Sequence, residues 1–183
     1  MATQGKSITN KITGEKFTWL ETARDSGGKR LRFDFEVAPL GHVPVAHVHP
    51  DQDETFEVKK GQLWLKTNGQ EQVLRPGDTV TIPKNTPHEW KNPSASEKTE
   101  MIVTFEPALN TEIFFEQFCG LSNDGKTKPD GSPNFLQIMA MANAYQIYIA
   151  GPPVPVQKVM GTVIGGFARL IGYRKFYPKY SPD

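Results

Sequence analysis

The sequence of 183 residues predicts a mainly β fold, an antiparallel sandwich or barrel followed by a helical C-terminal extension. Three observations carry this reading. From Lys16 to Phe105 short segments alternate apolar and polar residues with period two, the pattern of a strand with one buried face. Gly, Pro and Asn clusters separate these segments at short intervals, as antiparallel hairpins require. After Pro107 the apolar period lengthens to that of a helix.

The elements follow in order. The first dozen residues are polar and read as a loosely held arm. Lys16 to Thr22 is a strand with Phe17, Trp19 and Glu21 on one face. Asp25-Ser26-Gly27-Gly28 is a turn, and Leu31 to Val37 alternates cleanly. Gly41 and Pro44 punctuate the entry to a strand holding His47 and His49. Thr55 to Val58 continues as strand, with Phe56 and Val58 sharing the parity of Glu54. Leu63-Trp64-Leu65 is next. Asn68-Gly69 signals a type I′ hairpin with Glu71 to Leu74 as the return strand. Thr79 to Ile82, His88 to Trp90 and Met101 to Phe105 complete the set.

Beyond Pro107, Asn110 reads as an N-cap, with Ile113, Phe114, Phe118 and Leu121 on one helical face and Gly120 placed to end the helix. Ser132-Pro133 predicts a second start, followed by Phe135, Ile138, Met139, Ala142 and Tyr145 at helical spacing. Gly151-Pro152-Pro153 breaks the chain. Val156 to Ile171 is a third amphipathic helix, with Val156, Met160, Val163, Phe167, Leu170 and Ile171 apolar. It carries Gly161 and Gly165 at a spacing that lets helices approach closely. Its stripe is expected to pack on the chain's own β region or on a partner's, and no membrane-surface contact is expected. The predicted division is 1–107 for the β region with its N-terminal arm and 108–183 for the helical extension.

Composition narrows the function classes. Lys and Arg total 21 against 20 Asp and Glu, a net charge of +1 without a basic block, so no nucleic-acid partner is expected. Cys119 is the one cysteine, which excludes an intramolecular disulfide and suits a cytoplasmic location; it reads as structural. The N-terminus has no apolar core of signal-peptide length. No window has the uninterrupted apolar length of a spanning helix.

The chemistry concentrates in His47-Val48-His49-Pro50-Asp51-Gln52-Asp53-Glu54. Positions i and i+2 of a strand share a face, so His47 and His49 aim both imidazoles at one point, and a short turn can return Glu54 to it. Two imidazoles and a carboxylate suit a first-row transition metal. Asp53 has the opposite strand parity and makes a poor ligand. His42 precedes the strand and reads as a surface residue.

These residues belong to a longer pattern. Gly41, five residues, His47-Val48-His49, four residues, Glu54, six residues and Gly61 form one block; Gly77, five residues, Pro83, then His88, three residues and Asn92 form another. Both resemble the motifs of the cupin superfamily. One position departs: Asn85 stands where glycine is usual, and Asn is the residue that best tolerates the left-handed backbone there. The resemblance implies an antiparallel cupin-type (jelly-roll) β-barrel. It also implies a metal held by His47, His49, Glu54 and His88, with iron, manganese, nickel, copper, cobalt and zinc all compatible. Trp90 shares parity with His88, and Phe56 with Glu54. They are candidates for lining the pocket, with simple filling of the barrel as the alternative.

Such a protein is expected to be a metal-dependent enzyme acting on a small organic molecule. Oxidoreductase (dioxygenase-like), isomerase and lyase chemistries all stay open. Glu54 is either a ligand or, when detached, a catalytic base. No Tyr or Lys occupies a motif position where a lyase would need one, which points toward dioxygenase-like chemistry by elimination. The alternative is a non-catalytic module that binds or senses a sugar or aromatic acid. Cupins commonly pair, so a homodimer is expected.

Overall fold

The computed structural model describes residues 2–182. The β region comprises β1 (Ser7–Thr9), β2 (Lys16–Glu21), β3 (Leu31–Val37), β4 (His47–Val48), β5 (Asp53–Lys60), β6 (Leu63–Thr67), β7 (Gln70–Leu74), β8 (Thr79–Ile82), β9 (His88–Lys91) and β10 (Thr99–Glu106). Then come α1 (Thr111–Asn123), α2 (Phe135–Tyr145), β11 (Tyr148–Ile149), α3 (Val154–Leu170) and a short 3-10 turn at Pro178–Tyr180.

The strands form two antiparallel sheets, ordered β1-β2-β3-β10-β5-β8 and β11-β4-β9-β6-β7. No strand pairing joins the two among the described residues. The expected closed barrel is therefore corrected to a two-layer arrangement, consistent with a jelly roll. The alternation seen in the sequence explains the layers. Phe17 and Trp19 of β2, Phe33 and Phe35 of β3, and Phe56 and Val58 of β5 turn inward and are buried. They share one core with Leu63 and Leu65 of β6 and Trp90 of β9, from the opposite sheet. The rings of Phe35 and Trp90 meet across the layers at 5.4 Å, edge to face, a favoured aromatic geometry.

Turn chemistry agrees with the sequence. Asn68 and Gly69 both have positive φ (49° and 80°), as a type I′ hairpin demands. The N-terminal arm is a correction: residues 7–9 pair with β2 in register Ser7↔Thr18 to Thr9↔Lys16. A polar strand can be held by its backbone bonds at a sheet edge, and composition does not reveal that.

The helical region departs further. Asn110 stands at the N-cap of α1 but makes no side-chain cap bond; its Nδ2 donates to the Ala144 carbonyl instead (3.3 Å). Gly120 does not end α1, which runs on to Asn123. The bare Cα at Gly120 instead admits the Tyr180 side chain, whose Cβ would lie 2.8 Å from an added methyl. Phe115, outside the predicted face, joins Phe118 and Cys119 in packing on the β core, its ring 4.6 Å from that of Phe17 and 5.3 Å from that of Phe33. The second helix starts two residues later than Ser132-Pro133 implies, because Asn134 supplies the cap by accepting from the Gln137 N–H (3.0 Å). In α3 the apolar stripe does not pack on the chain's own β region, the first of the two expected arrangements. Gln157, Gly161, Gly165 and Ala168 are buried, with Gly161 and Gly165 against α2, while Val156, Val159, Val163, Phe167 and Leu170 are exposed. None of the described helices is long and apolar enough to cross a membrane.

Candidate metal centre

His47 and His88 are cross-strand partners on β4 and β9 in one sheet, whereas Glu54 lies on β5 in the other. His49 follows β4 directly, so the expected histidine strand is only two residues long. Its position is fixed by the turn after β8: the Asn85 N–H donates to the His49 carbonyl at 2.9 Å. Asn85 adopts φ 63°, the left-handed conformation expected of it. The ligand atoms of His47, His49, Glu54 and His88 lie within 4.8 Å of one another, and all four residues are buried.

The second nitrogen of two of these rings is anchored by backbone. His88 Nδ1 donates to the Thr86 carbonyl (2.9 Å), and His47 Nδ1 donates to the Val45 carbonyl (3.3 Å). A carbonyl only accepts, so these bonds place the proton on Nδ1 and turn Nε2 toward the cluster. Glu54 Oε2 accepts from His88 Nε2 at 2.9 Å and lies 3.5 Å from His49 Nε2. With both nitrogens donating, His88 is an imidazolium in this arrangement. Burial opposes the charge on His88, but its hydrogen bond to Glu54 and the carboxylate's charge outweigh that and raise its pKa. Burial likewise opposes ionisation of Glu54, and the neighbouring His49 and His88 rings, the latter hydrogen-bonded to it, pull its pKa well below the carboxylate range. His47 is driven well below its ordinary value by burial and then by the neighbouring imidazoles. It stays neutral, the form that ligates.

The residues fit a metal ion. Neither ring nitrogen of His49 has a hydrogen-bond partner among the described residues, although both are buried. An unsatisfied buried polar pair is costly. A cation bound between the rings would satisfy one nitrogen and displace the His88 proton.

Other predicted residues fall as follows. Asp53 points away and accepts from the Lys84 N–H (2.8 Å). His42 is exposed; its ring bonds to the Leu40 carbonyl, and its backbone bridges to Lys91. Phe56 is fully buried in the core, and Trp90 packs on Phe35. Sequence reasoning missed Phe105, the cross-strand partner of Glu54, whose ring lies 5.3 Å from that of His49. It also missed Gln52, buried two residues before Glu54, whose Nε2 donates to the Pro107 carbonyl and to Thr111 Oγ1 (both 2.8 Å). Strand register brings Phe105 here, and bonds to the segment entering α1 hold Gln52. Cys119 is buried far along α1, and burial pushes its thiol pKa up, as a structural cysteine's would be.

The extension also reaches the centre. β11 pairs with β4, placing Ile149 opposite His47 and Tyr148 opposite Val48. Gln157 of α3 clamps this strand: its Oε1 accepts from the Ile149 N–H (3.0 Å), and its Nε2 donates to the Ile149 and Pro152 carbonyls (2.8 and 2.9 Å). Residues 108–183 are thus not helical throughout, and one of their strands borders the strand that carries His47.

Comparison with known proteins agrees with this geometry. A family model described as a cupin domain matches residues 33–105. An oxidoreductase of Arthrobotrys oligospora is 30% identical over 158 residues, covering 78% of this chain and 61% of that protein. A "probable oxidoreductase" of Hypocrea virens is 30% identical over 151 residues, covering 75% and 67%. The quercetin 2,3-dioxygenase of Bacillus subtilis is 30% identical over 103 residues, covering 56% of this chain and 30% of the enzyme. The chain thus spans about three fifths of the Arthrobotrys protein and under a third of the Bacillus one. Among solved structures, an RmlC-like cupin from Shewanella frigidimarina superposes with a TM-score of 0.50 at 20% identity, covering 58% of this chain and 87% of that one. With the two-sheet fold, the paired motifs and these matches together, the chain belongs to the cupin superfamily.

Proposed function

We propose that this protein is a metal-dependent oxidoreductase acting on a small organic molecule, with dioxygenase-like chemistry. The observation that carries the reading is the convergence of His47, His49, Glu54 and His88 within 4.8 Å. Oxidoreductase names among the relatives, including a quercetin dioxygenase, support the reaction class. His47, His49 and His88 would hold a divalent transition metal, with Glu54 as the fourth ligand. When bound, such a metal polarises an oxygen of the substrate or activates dioxygen.

The chain's own residues set the conditions. The Val45 and Thr86 carbonyls fix the tautomers of His47 and His88. Glu54 is held ionised, so it can accept a proton from a hydroxyl of the substrate if it leaves the metal. Burial of all four residues keeps bulk water from the reacting groups.

The test begins with elemental mass spectrometry on the native protein and on a His47→Ala/His49→Ala variant. Near-stoichiometric iron, manganese, nickel, cobalt or copper in the former, lost in the latter, followed by oxygen uptake with flavonol or catechol substrates, is the expected result. No metal after anaerobic reconstitution would sink the proposal. Metal with tight ligand binding but no turnover would instead identify a binding module.

A further inference from the structure

The outward face of α3 has no partner in this chain. We infer that it is a docking surface for an anionic lipid bilayer, with the helix lying in the plane of the membrane–water interface. Around the helix, Val156, Val159, Val163, Phe167 and Leu170 fall within an arc of roughly 80°. Their exposures are 51%, 63%, 66%, 57% and 86%. Large side chains exposed in a continuous stripe mark an interaction site. The opposite face is committed: an added Cβ at Gly165 would lie 2.9 Å from the Met139 carbonyl carbon, so α3 already sits backbone to backbone on α2. The stripe therefore cannot rotate inward to be covered.

Charge decides between occupants. From Val154 to Pro182 the chain carries Lys158, Arg169, Arg174, Lys175 and Lys179 and no Asp or Glu. Lys179 pairs with Asp124; the other four are exposed. A second copy of α3 laid on the stripe is disfavoured by area: the helix is too small for a stable dimer on its own. Its 17 residues make a strip about 25 Å long and about 10 Å wide, a few hundred Å² against the roughly 800 Å² per partner of a standard interface. A bilayer needs no complementary shape. An apolar helix face with cations on the polar side of the helix and in the adjoining tail is what binds anionic lipid interfaces. The length of α3 rules out spanning, so the mode is peripheral.

The experiment is vesicle flotation of the full chain with phosphatidylcholine alone and with phosphatidylserine added. Two variants accompany it, Val163→Glu/Phe167→Glu and Lys158→Glu/Arg169→Glu. The altered side chains are exposed, and unchanged thermal unfolding verifies the fold of each variant. Wild type is expected to float with phosphatidylserine vesicles, to do so less as salt rises, and to stay behind with phosphatidylcholine. Each variant is expected to lose about tenfold or more in partitioning. Failure to float, equal flotation with both lipids, or variants that float like wild type would overturn the inference. So would a wild-type dimer in light scattering that Val163→Glu/Phe167→Glu dissociates, since the face would then belong to a second copy.

Discussion

Replacing Gly165 by alanine and, separately, its neighbour Gly166 by alanine should move stability in opposite directions. Both glycines lie in the interior of α3, where alanine is favoured over glycine by about 1 kcal/mol. At Gly166 the added methyl meets only Arg169 Nη2, at 3.9 Å, so the propensity gain is realised. At Gly165 the methyl would lie 2.9 Å from the Met139 carbonyl carbon, 3.4 Å from the Ala140 Cα and nearer still to the Met139 carbonyl oxygen. These are backbone atoms of α2 and cannot rotate away, so the two helices must separate. Overpacking of this kind costs about 1–3 kcal/mol, leaving a net loss of up to about 2 kcal/mol. For a chain of this size each kcal/mol shifts Tm by about 2–4 °C. Gly165→Ala should therefore lower Tm by up to about 8 °C, and Gly166→Ala should raise it by up to about 4 °C. Differential scanning fluorimetry, supported by urea unfolding, would decide. Equal shifts of the same sign would refute the claim that α3 rests on α2 through its glycine face.

Three further outcomes follow from the same geometry. Gln157→Leu strips hydrogen bonds from the Ile149 N–H and the Ile149 and Pro152 carbonyls, part-buried bonds that contribute about 0.5–1.5 kcal/mol each. It should loosen β11 from β4 and weaken metal retention against a chelator; unchanged retention would show that β11 does not support His47. Asn85→Gly should be nearly silent, whereas Asn85→Val, forced to φ 63°, should lose about 1–2 kcal/mol and release metal more readily, as urea unfolding and elemental analysis can report. Burial raises the pKa of Glu15 above its ordinary 4.5, against a hydrogen bond from Thr13. A raised folded pKa contributes stability that is complete below pH 4.5 and is lost as pH rises through the folded value. Glu15→Gln keeps an acceptor for Thr13 without the charge, so its Tm relative to wild type should improve between pH 4 and pH 7; a flat difference would contradict this.

The link between β11 and β4 gives the C-terminal extension a role at the centre besides the outward face of α3. His47 is bracketed by His88 on one side and Ile149 on the other. A change in α3 can therefore reach the ligand strand through Gln157 by a continuous path of hydrogen bonds. Whether occupancy of the outer face alters metal affinity is measurable by titrating metal with and without phosphatidylserine vesicles.

The sequence alone determined most of the β strands and the four residues of the cluster, because both are local or periodic. Alternation in Leu31 to Val37 reports a face that every strand residue must choose, and the observed burial follows it residue by residue. The His-x-His spacing and the turn through Asn85 are likewise short-range. What only the tertiary structure decided depends on which surfaces meet. The core takes Phe115, rather than only the predicted face of α1, because buried polar residues such as Gln117 hold the C-terminal tail through Tyr177 and Ser181. Tyr148 and Ile149 become a strand only because β4 offers an edge. Phe105 stands by His49 because β10 pairs with β5 in one register among several that the alternation would permit. In α3 the periodicity is real, but it marks the face turned outward. Glycine lets two backbones approach more closely than large side chains can, so the small residues took the buried side and left the apolar stripe exposed.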